Sequence, residues 1–169
     1  VGDLTWIISP YDEIAIEAGL QLKEKHGGET ILLSIGPERV VAGLRNGLAM
    51  GADSAHQIDD PAFESLDGAG RAAVLAAAVK HLGGADVVLC GHQGVGDDDS
   101  QTPGLLAAAL DLPCVSGVVK LDIEGASAVA EREVEGGIEV WETSLPAVLS
   151  TQKGLNTPRY AGLKGIMAA

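Results

Sequence analysis

Apolar residues recur at helical spacing in four stretches of the chain. After Pro10, the residues Ile14, Ala18 and Leu22 follow one another at intervals of four, and two glycines end the pattern. This arrangement predicts a helix over 11–26, because proline fits the first turn and glycine fits the end. Similar patterns predict three further helices, over 37–50, 69–82 and 102–110.

Strand-like segments lie between these helices. The runs at 30–35 and 86–90 are short, continuous and apolar, which is typical of parallel strands covered on both faces, and 54–58 is a further short strand. The alternation of strands and helices predicts an α/β fold, a parallel sheet with helices on both faces and right-handed crossovers.

The pattern changes after residue 114. Strand-like segments at 115–123, 128–134 and 138–141 are joined by short glycine-containing turns, and the second carries glutamates at alternate positions. Alternation of this kind is typical of an antiparallel meander with one face in solvent. A last strand is predicted at 147–150. We therefore expect a single domain over 1–169, with an antiparallel meander extending the sheet.

Composition excludes several classes of function. The chain has 169 residues, 24 of them acidic and 11 basic, and only 3% aromatic residues, so it lacks the surface that nucleic-acid binding requires. No apolar run is long enough to cross a membrane, so no membrane insertion is expected. Cys90 and Cys114 lie in apolar runs and are expected to be free thiols of a soluble intracellular protein. No zinc-ligand spacing or signal peptide is visible, and the start at Val1 suggests a fragment or a processed chain.

The charge is unevenly distributed. Residues 1–142 carry 24 acidic and 8 basic side chains, a net charge of −16, whereas the remainder carries +3 and no acidic residue. Its three cations lie between glycines and prolines, so we expect 154–169 to be a surface element with a role of its own, although a frayed terminus has the same composition.

The segment 91–104 is the strongest candidate for a binding site. It follows a predicted buried strand, precedes a predicted helix and combines several glycines with Ser100, Gln101 and Thr102. Ligands of open α/β sheets bind at such junctions, and a helix start offers free N–H groups to an anion. The run 97–99 consists of three aspartates, which either bind Mg²⁺ that bridges to phosphate, or cap the loop and hydrogen-bond a nucleoside. No nucleophile–base pair or phosphate-loop lysine is visible, so no catalytic residue is predicted.

Several motifs, taken together and in order, resemble the beta subunit of electron-transfer flavoproteins. The similarity runs from about residue 7 to residue 167, and each motif alone is weak. The matching motifs are PYDEIA at 10–15, SIGP at 34–37, LAMGAD at 48–53, DDDSQT at 97–102, EREVEGG at 131–137, LPAV at 145–148, PRY at 158–160 and GIM at 165–167.

The resemblance implies a Rossmann-like, adenine-nucleotide-binding fold and an electron carrier that is not itself an enzyme. The beta subunit of this family pairs with an alpha subunit that holds most of the FAD, and it binds AMP structurally without a metal. Acyl-CoA dehydrogenases donate the electrons, in fatty acid β-oxidation for example, and a quinone oxidoreductase passes them to the respiratory chain. The implied compartment is the bacterial cytoplasm or the mitochondrial matrix. The AMP site would comprise backbone at 91–95 and the residues Ser9, Pro10, Tyr11, Asp12, Ile35, Gly91, Val95, Asp97, Ser100, Gln101 and Thr102.

The same resemblance implies a docking role for the cationic tail. A mobile loop matching 159–168 would dock the dehydrogenase through Leu163, since one apolar anchor often dominates a small interface. The implied docking residues are Arg159, Tyr160, Leu163, Lys164, Ile166 and Met167.

The chain also departs from the family pattern. Ser9, Pro103 and Thr157 replace asparagine, glycine and glutamate, and family members have an additional strand before these residues and an extension after them. Two other functions therefore stay open. One is an electron-bifurcating relative that binds a second FAD where AMP would lie; the other is a nucleotide hydrolase with Asp97 and Asp99 on Mg²⁺.

Overall fold

A computed structural model describes residues 6–96 and 98–169, without the side chains of Lys164 and Ala168. All predicted helices and strands are present, with boundaries that differ by a few residues. The helices are α1 (Pro10–His26), α2 (Val41–Met50), α3 (Gly68–His81), α4 (Thr102–Leu110) and α5 (Leu163–Ala168). The strands are β1 (Ile31–Ile35), β2 (Ser54–Ile58), β3 (Val87–Gly91), β4 (Cys114–Glu124), β5 (Ser127–Val134), β6 (Gly137–Ser144) and β7 (Ala147–Thr151).

Local sequence accounts for the helix ends. Helix α1 begins with Pro10, carries Asp12 and Glu13 in its first turn and basic residues in its last, and is followed by Gly27 at φ +80°. Helix α3 is capped by Asp67, whose carboxylate accepts a hydrogen bond of 2.8 Å from the Gly70 N–H. The predicted helix over 37–50 begins instead as a short 3₁₀ turn at 38–40, since Pro37 is extended, and becomes α-helical at residue 41.

The strands form two sheets. Strands β1 and β2 form a parallel pair, and the other five form a mixed sheet in the order β3-β7-β4-β5-β6. Strand β7 lies between β3 and β4 and is parallel to both, while β4, β5 and β6 form the predicted antiparallel meander. The α/β class is thus confirmed, but the single sheet is not. Within the described residues β1 and β3 do not pair, and a cleft of about 1130 Å³ lies between them beneath α1.

The largest buried cluster lies on the mixed sheet. All five residues of β7 are buried, and Leu149 packs with Val115 and Val118 of β4 and with Ala130 of β5. A smaller cluster joins α3 to α4 through Ala72, Ala76 and Leu106. The two alanines let the helices approach each other closely, and at their N-terminal turns Gly68 lies against Gln101 and Leu105.

The tail contains a helical segment that the sequence analysis does not predict. This segment, α5, packs against α2. The contact is close, because a Cβ atom on Gly165 would overlap the backbone of Ala49. Just before α5, Arg159 forms ion pairs with Glu17 and Glu24 of α1. Local sequence patterns do not predict these contacts, because the partners lie far apart in the sequence.

Candidate nucleotide-binding site

A cavity lies between β1 and β3 against α3 and α4, and one end of it opens where the carboxyl ends of these strands meet the starts of α1 and α4. Its volume is about 430 Å³, within the range that suits a nucleotide-sized ligand. Because β1 and β3 lead into loops at the same edge, residues distant in sequence converge there. Five of the predicted site residues line it, namely Asp12, Ile35, Gly91, Ser100 and Thr102.

Gly91, the last residue of β3, allows α1 to begin directly above the strand. A Cβ atom at this position would lie 2.6 Å from Asp12 Oδ1 and 3.0 Å from Tyr11 Cβ. The Gly91 N–H donates a hydrogen bond of 3.0 Å to Asp12 Oδ1, and the Thr151 hydroxyl donates one of 3.1 Å to the Tyr11 carbonyl. These bonds fix the first turn of α1 against the sheet.

The Asp12 carboxyl is electrostatically unusual. Withdrawal of the carboxyl group from bulk water raises the pKa of Asp12, and the hydrogen bond from Gly91 opposes that rise without cancelling it. The residue as a whole still borders solvent at the mouth of the cavity. Asp12 is therefore a carboxylate held beside a binding cavity, and it disfavours additional negative charge there.

Two aspartates of the loop after β3 accept hydrogen bonds from other residues of the same loop. Asp98 accepts a 2.9 Å hydrogen bond from Gln93 Nε2, and Asp99 accepts one of 3.3 Å from the Gln101 N–H. The Ser100 hydroxyl donates to Gln93 Oε1 at 3.3 Å. Asp98 and Ser100 have φ values of +49° and +53°, a conformation that non-glycine residues adopt mainly where surrounding contacts impose it. These bonds match the capping interpretation; Asp97 lies outside the described residues.

The N-terminus of helix α4 lies at the cavity. Gln101, the residue before the helix, has φ −87° and ψ −34° and, within the part of the chain described, provides no side-chain cap. The first turn of a helix has N–H groups without intrahelical partners, and the helix dipole favours an anion beside them. Thr102 adds a hydroxyl at the same place. The chemistry suits a phosphate.

The other predicted site residues lie around the cavity without lining it. Ser9 borders the cleft between the two sheets, where its Oγ atom is buried and, among the described residues, has no hydrogen-bond partner. Pro10 begins α1, and Tyr11 contributes its carbonyl to Thr151. Val95 is exposed, and the Gln101 side chain faces Gly68 of α3.

Sequence reasoning missed Arg71. This residue of α3 lines the cavity together with Ser100 and Thr102. It follows a Gly-Ala-Gly start, residues 68–70, and Gly68 lies against Gln101 and Leu105 at the beginning of α4. An isolated arginine after such small residues is the signal that would have identified it.

His92, which follows β3 and also lines the cavity, lies close to Ser150 of β7. The Gly117 N–H donates a 2.8 Å hydrogen bond to Ser150 Oγ, which lies 3.2 Å from His92 Nδ1. These two contacts connect His92 to β7 and to the start of β4.

The proposed docking residues form an exposed apolar surface on the tail. Tyr160, Leu163 and Met167 are 97%, 82% and 88% exposed, and Ile166 is also exposed. We call these four residues the tail patch. Arg159 is different, because its guanidinium is already bound by two carboxylates and is less available to steer a partner. The Lys164 side chain lies outside the described part of the structure.

Comparison with known proteins establishes the family. A family model described as the electron transfer flavoprotein domain matches residues 2–169. The chain belongs to the electron transfer flavoprotein family. The electron transfer flavoprotein subunit beta of Bacillus subtilis is 41% identical over 166 residues, which cover 97% of this chain and 64% of that protein. The resemblance to beta subunits found in the sequence is thereby confirmed.

Other relatives show the breadth of the electron transfer flavoprotein family. The caffeyl-CoA reductase–Etf complex subunit CarD of Acetobacterium woodii is 40% identical, over 96% of this chain and 63% of that protein. A probable electron transfer flavoprotein subunit beta of Saccharomyces cerevisiae is 37% identical over the same shares. The chain spans a little under two-thirds of the length of these curated relatives. Across the described residues, no helix has both the length and the apolar character needed to traverse a bilayer.

Proposed function

We propose that this chain is the nucleotide-binding part of an electron transfer flavoprotein beta subunit and that it holds AMP in the 430 Å³ cavity. The observation that carries the proposal is the convergence of β1, β3 and the α4 N-terminus on this cavity, in a chain of this family. The nucleotide plays a structural role, and the chain contributes to electron transfer only as part of a larger assembly.

The phosphate is proposed to lie at residues 100–102. There the N–H groups at the start of α4 and the Thr102 hydroxyl supply hydrogen-bond donors without a lysine. The Ser100 hydroxyl lies beside them and would exchange its bond to Gln93 Oε1 for one to the phosphate. Asp12 and Asp99 line the same cavity, so each additional phosphate would meet more like charge. The site therefore favours a monophosphate over a triphosphate.

We expect AMP to bind more tightly than ATP when Mg²⁺ is absent, as measured by calorimetry. Thr102→Val removes a hydroxyl at the phosphate and should weaken AMP binding by about 1–3 kcal/mol, the cost of one lost buried partner. Thr143→Val in the meander serves as the matched control and should bind AMP normally. Equal or tighter binding of ATP would contradict the monophosphate site, and Mg²⁺-dependent ATP turnover would favour a hydrolase.

A second FAD is the alternative ligand. The cavity and the cleft between the sheets share lining residues, including Asp12, Ser34 and Leu89, so a longer ligand has room to extend from one to the other. The relative CarD belongs to a caffeyl-CoA reductase–Etf complex. Flavin content separates the two ligands: one FAD per assembly supports AMP in this chain, whereas two support FAD.

The partners are proposed on the same basis. An alpha subunit would complete the heterodimer and hold most of the FAD. Acyl-CoA dehydrogenase-type flavoenzymes would donate electrons, and a quinone oxidoreductase would accept them. The tail patch supports a protein interface, because four large apolar side chains lie exposed on one short segment.

Leu163→Ala in the assembled heterodimer should weaken dehydrogenase docking by about 1–3 kcal/mol, through lost burial of one side chain. Ile138→Ala, which removes an exposed side chain from the meander, is the control. Docking is measured as electron transfer from reduced dehydrogenase at limiting carrier concentration, with AMP content as an internal check. Wild-type rates would contradict the docking role, and weaker association with the alpha subunit alone would assign the tail patch to that subunit.

A further inference from the structure

We infer that Arg71 is the residue that makes the cavity select a phosphorylated nucleoside, by pairing with the phosphate from the α3 side. The inference rests on the proposed nucleotide site and adds to it a specificity-determining residue. It concerns a side chain of this sequence that lies on a helix rather than in the loop between β3 and α4.

The position of Arg71 is set by the packing of α3 on α4. Its neighbour Ala72 is 1% exposed and packs in the cluster that contains Leu106 of α4. Arg71 is consequently one residue away from the buried seam, at the rim where both helices begin. It lines the same cavity as Ser100 and Thr102, the proposed phosphate ligands.

Arg71 brings a positive charge to a cavity whose described lining otherwise consists of carboxylates and neutral groups. The described lining includes two carboxylates, Asp12 and Asp99, and Arg71 is the one lysine or arginine among the lining residues of the described chain. An anion at the start of α4 would otherwise face these carboxylates with only N–H dipoles and hydroxyls in its favour. A guanidinium offers paired donors that match phosphate oxygens, and its bonds to an anion are stronger than those between neutral groups.

Three of the other arginines in the described chain are already engaged. Arg132 pairs with Glu139, Arg159 pairs with Glu17 and Glu24, and Arg39 lies over the Trp6 ring. Arg71 forms no ion pair with any described residue and is exposed to solvent at the cavity. Its charge is thus available to a ligand without breaking a structural contact.

The test compares AMP with adenosine, which lacks only the phosphate. Calorimetric affinities of both are measured for the wild type, Arg71→Gln and Arg71→Lys, with Arg45→Gln on α2 as the matched control. Arg45 is likewise an exposed helical arginine but does not line the cavity. Thermal melts verify that the variants are folded, which is expected because Arg71 lies on the surface.

We expect Arg71→Gln to weaken AMP binding about 10- to 100-fold, the range for losing a charge-assisted hydrogen bond, and to leave adenosine binding within about twofold. Arg71→Lys should retain part of the preference for AMP, and Arg45→Gln should retain all of it. Equal losses for AMP and adenosine, or no loss for either, would overturn the role of Arg71 while leaving the site intact. A wild-type chain that binds neither compound would overturn the nucleotide site and this pairing together.

Discussion

Replacing Arg159 with methionine is expected to lower the free energy of unfolding by about 2–3 kcal/mol, less than for a fully buried ion pair because the arginine side chain is 34% exposed. Glu17 is only 4% exposed, and Arg159 supplies three of its hydrogen bonds, two from the guanidinium at 2.7 and 3.0 Å and one from the backbone N–H at 3.2 Å. Without Arg159 the Glu17 carboxylate stays buried with Gln21 as its remaining side-chain donor. The change should also release the tail from α1.

The loss should depend on pH in a defined direction. Burial alone would raise the pKa of Glu17, but hydrogen bonds from Arg159 and Gln21 lower it below the usual value of 4.5. A carboxyl with a lowered pKa in the folded state contributes stability that is present above its unfolded pKa and is lost as the pH falls through its folded pKa. In Arg159→Met the buried carboxyl favours the protonated form, so its deficit should be large at pH 7 and smaller at pH 4.

Chemical denaturation at these two pH values measures the effect. Arg132→Met is the matched control, because the Arg132–Glu139 pair lies at the surface and should contribute about 0–1 kcal/mol. The double variant Glu17→Gln/Arg159→Met should recover part of the loss, since it removes the buried charge. A single variant within about 1 kcal/mol of the wild type at pH 7 would show that Glu17 does not depend on Arg159.

Elements governed by local pattern were predictable from the sequence. Helix α1 and strand β3 agree with the prediction within one residue, because the four-residue apolar spacing and the continuous apolar run are properties of short segments. The meander was predictable for the same reason, since alternating glutamates mark its solvent face. The start of α2 was less predictable, because a proline is compatible both with the start of an α-helix and with the 3₁₀ turn found there.

Features that depend on distant residues were not predictable from the local pattern. The division into two sheets depends on which edges β1 and β3 pair with, and hydrophobic periodicity carries no pairing information. The anchoring of the tail depends on Arg159 and Glu17, which are 142 positions apart. The position of β7 between β3 and β4 belongs to the same class, since β7 follows the meander in sequence but lies on its other side.

The candidate site was predictable in part for physical reasons. The rule that ligands of α/β sheets bind at strand ends led to Gly91, Ser100 and Thr102, and the family resemblance added Asp12 and Ile35; all five line the cavity. Arg71 was not predicted because it lies on α3, and the packing of α3 against α4 is known only from the tertiary structure. The strand-end rule therefore predicts the loop residues of a site better than the residues that its helices contribute.

Gly91→Val is the second substitution with a large expected effect, because it tests the contact on which the cavity depends. The added Cβ atom would overlap Asp12 Oδ1 at 2.6 Å and approach the Asp12 backbone nitrogen to 3.0 Å. Relief requires α1 to move away from β3, since a backbone atom cannot rotate aside. We expect a loss of about 1–3 kcal/mol in unfolding free energy, the usual cost of overpacking.

The same substitution should abolish AMP binding, because moving the first turn of α1 displaces Asp12 and breaks its hydrogen bond to residue 91. Valine suits a strand, and Gly91 does not have a positive φ, so the backbone conformation itself is not at issue. Gly104→Ala in α4 is the control: an added Cβ there meets nothing within 4 Å, and alanine in a helix should leave stability unchanged or raise it by up to about 1 kcal/mol. Denaturation and calorimetry on both variants distinguish the two cases. A Gly91→Val chain with wild-type stability and wild-type AMP affinity would mean that the close approach of α1 to β3 does not shape the site.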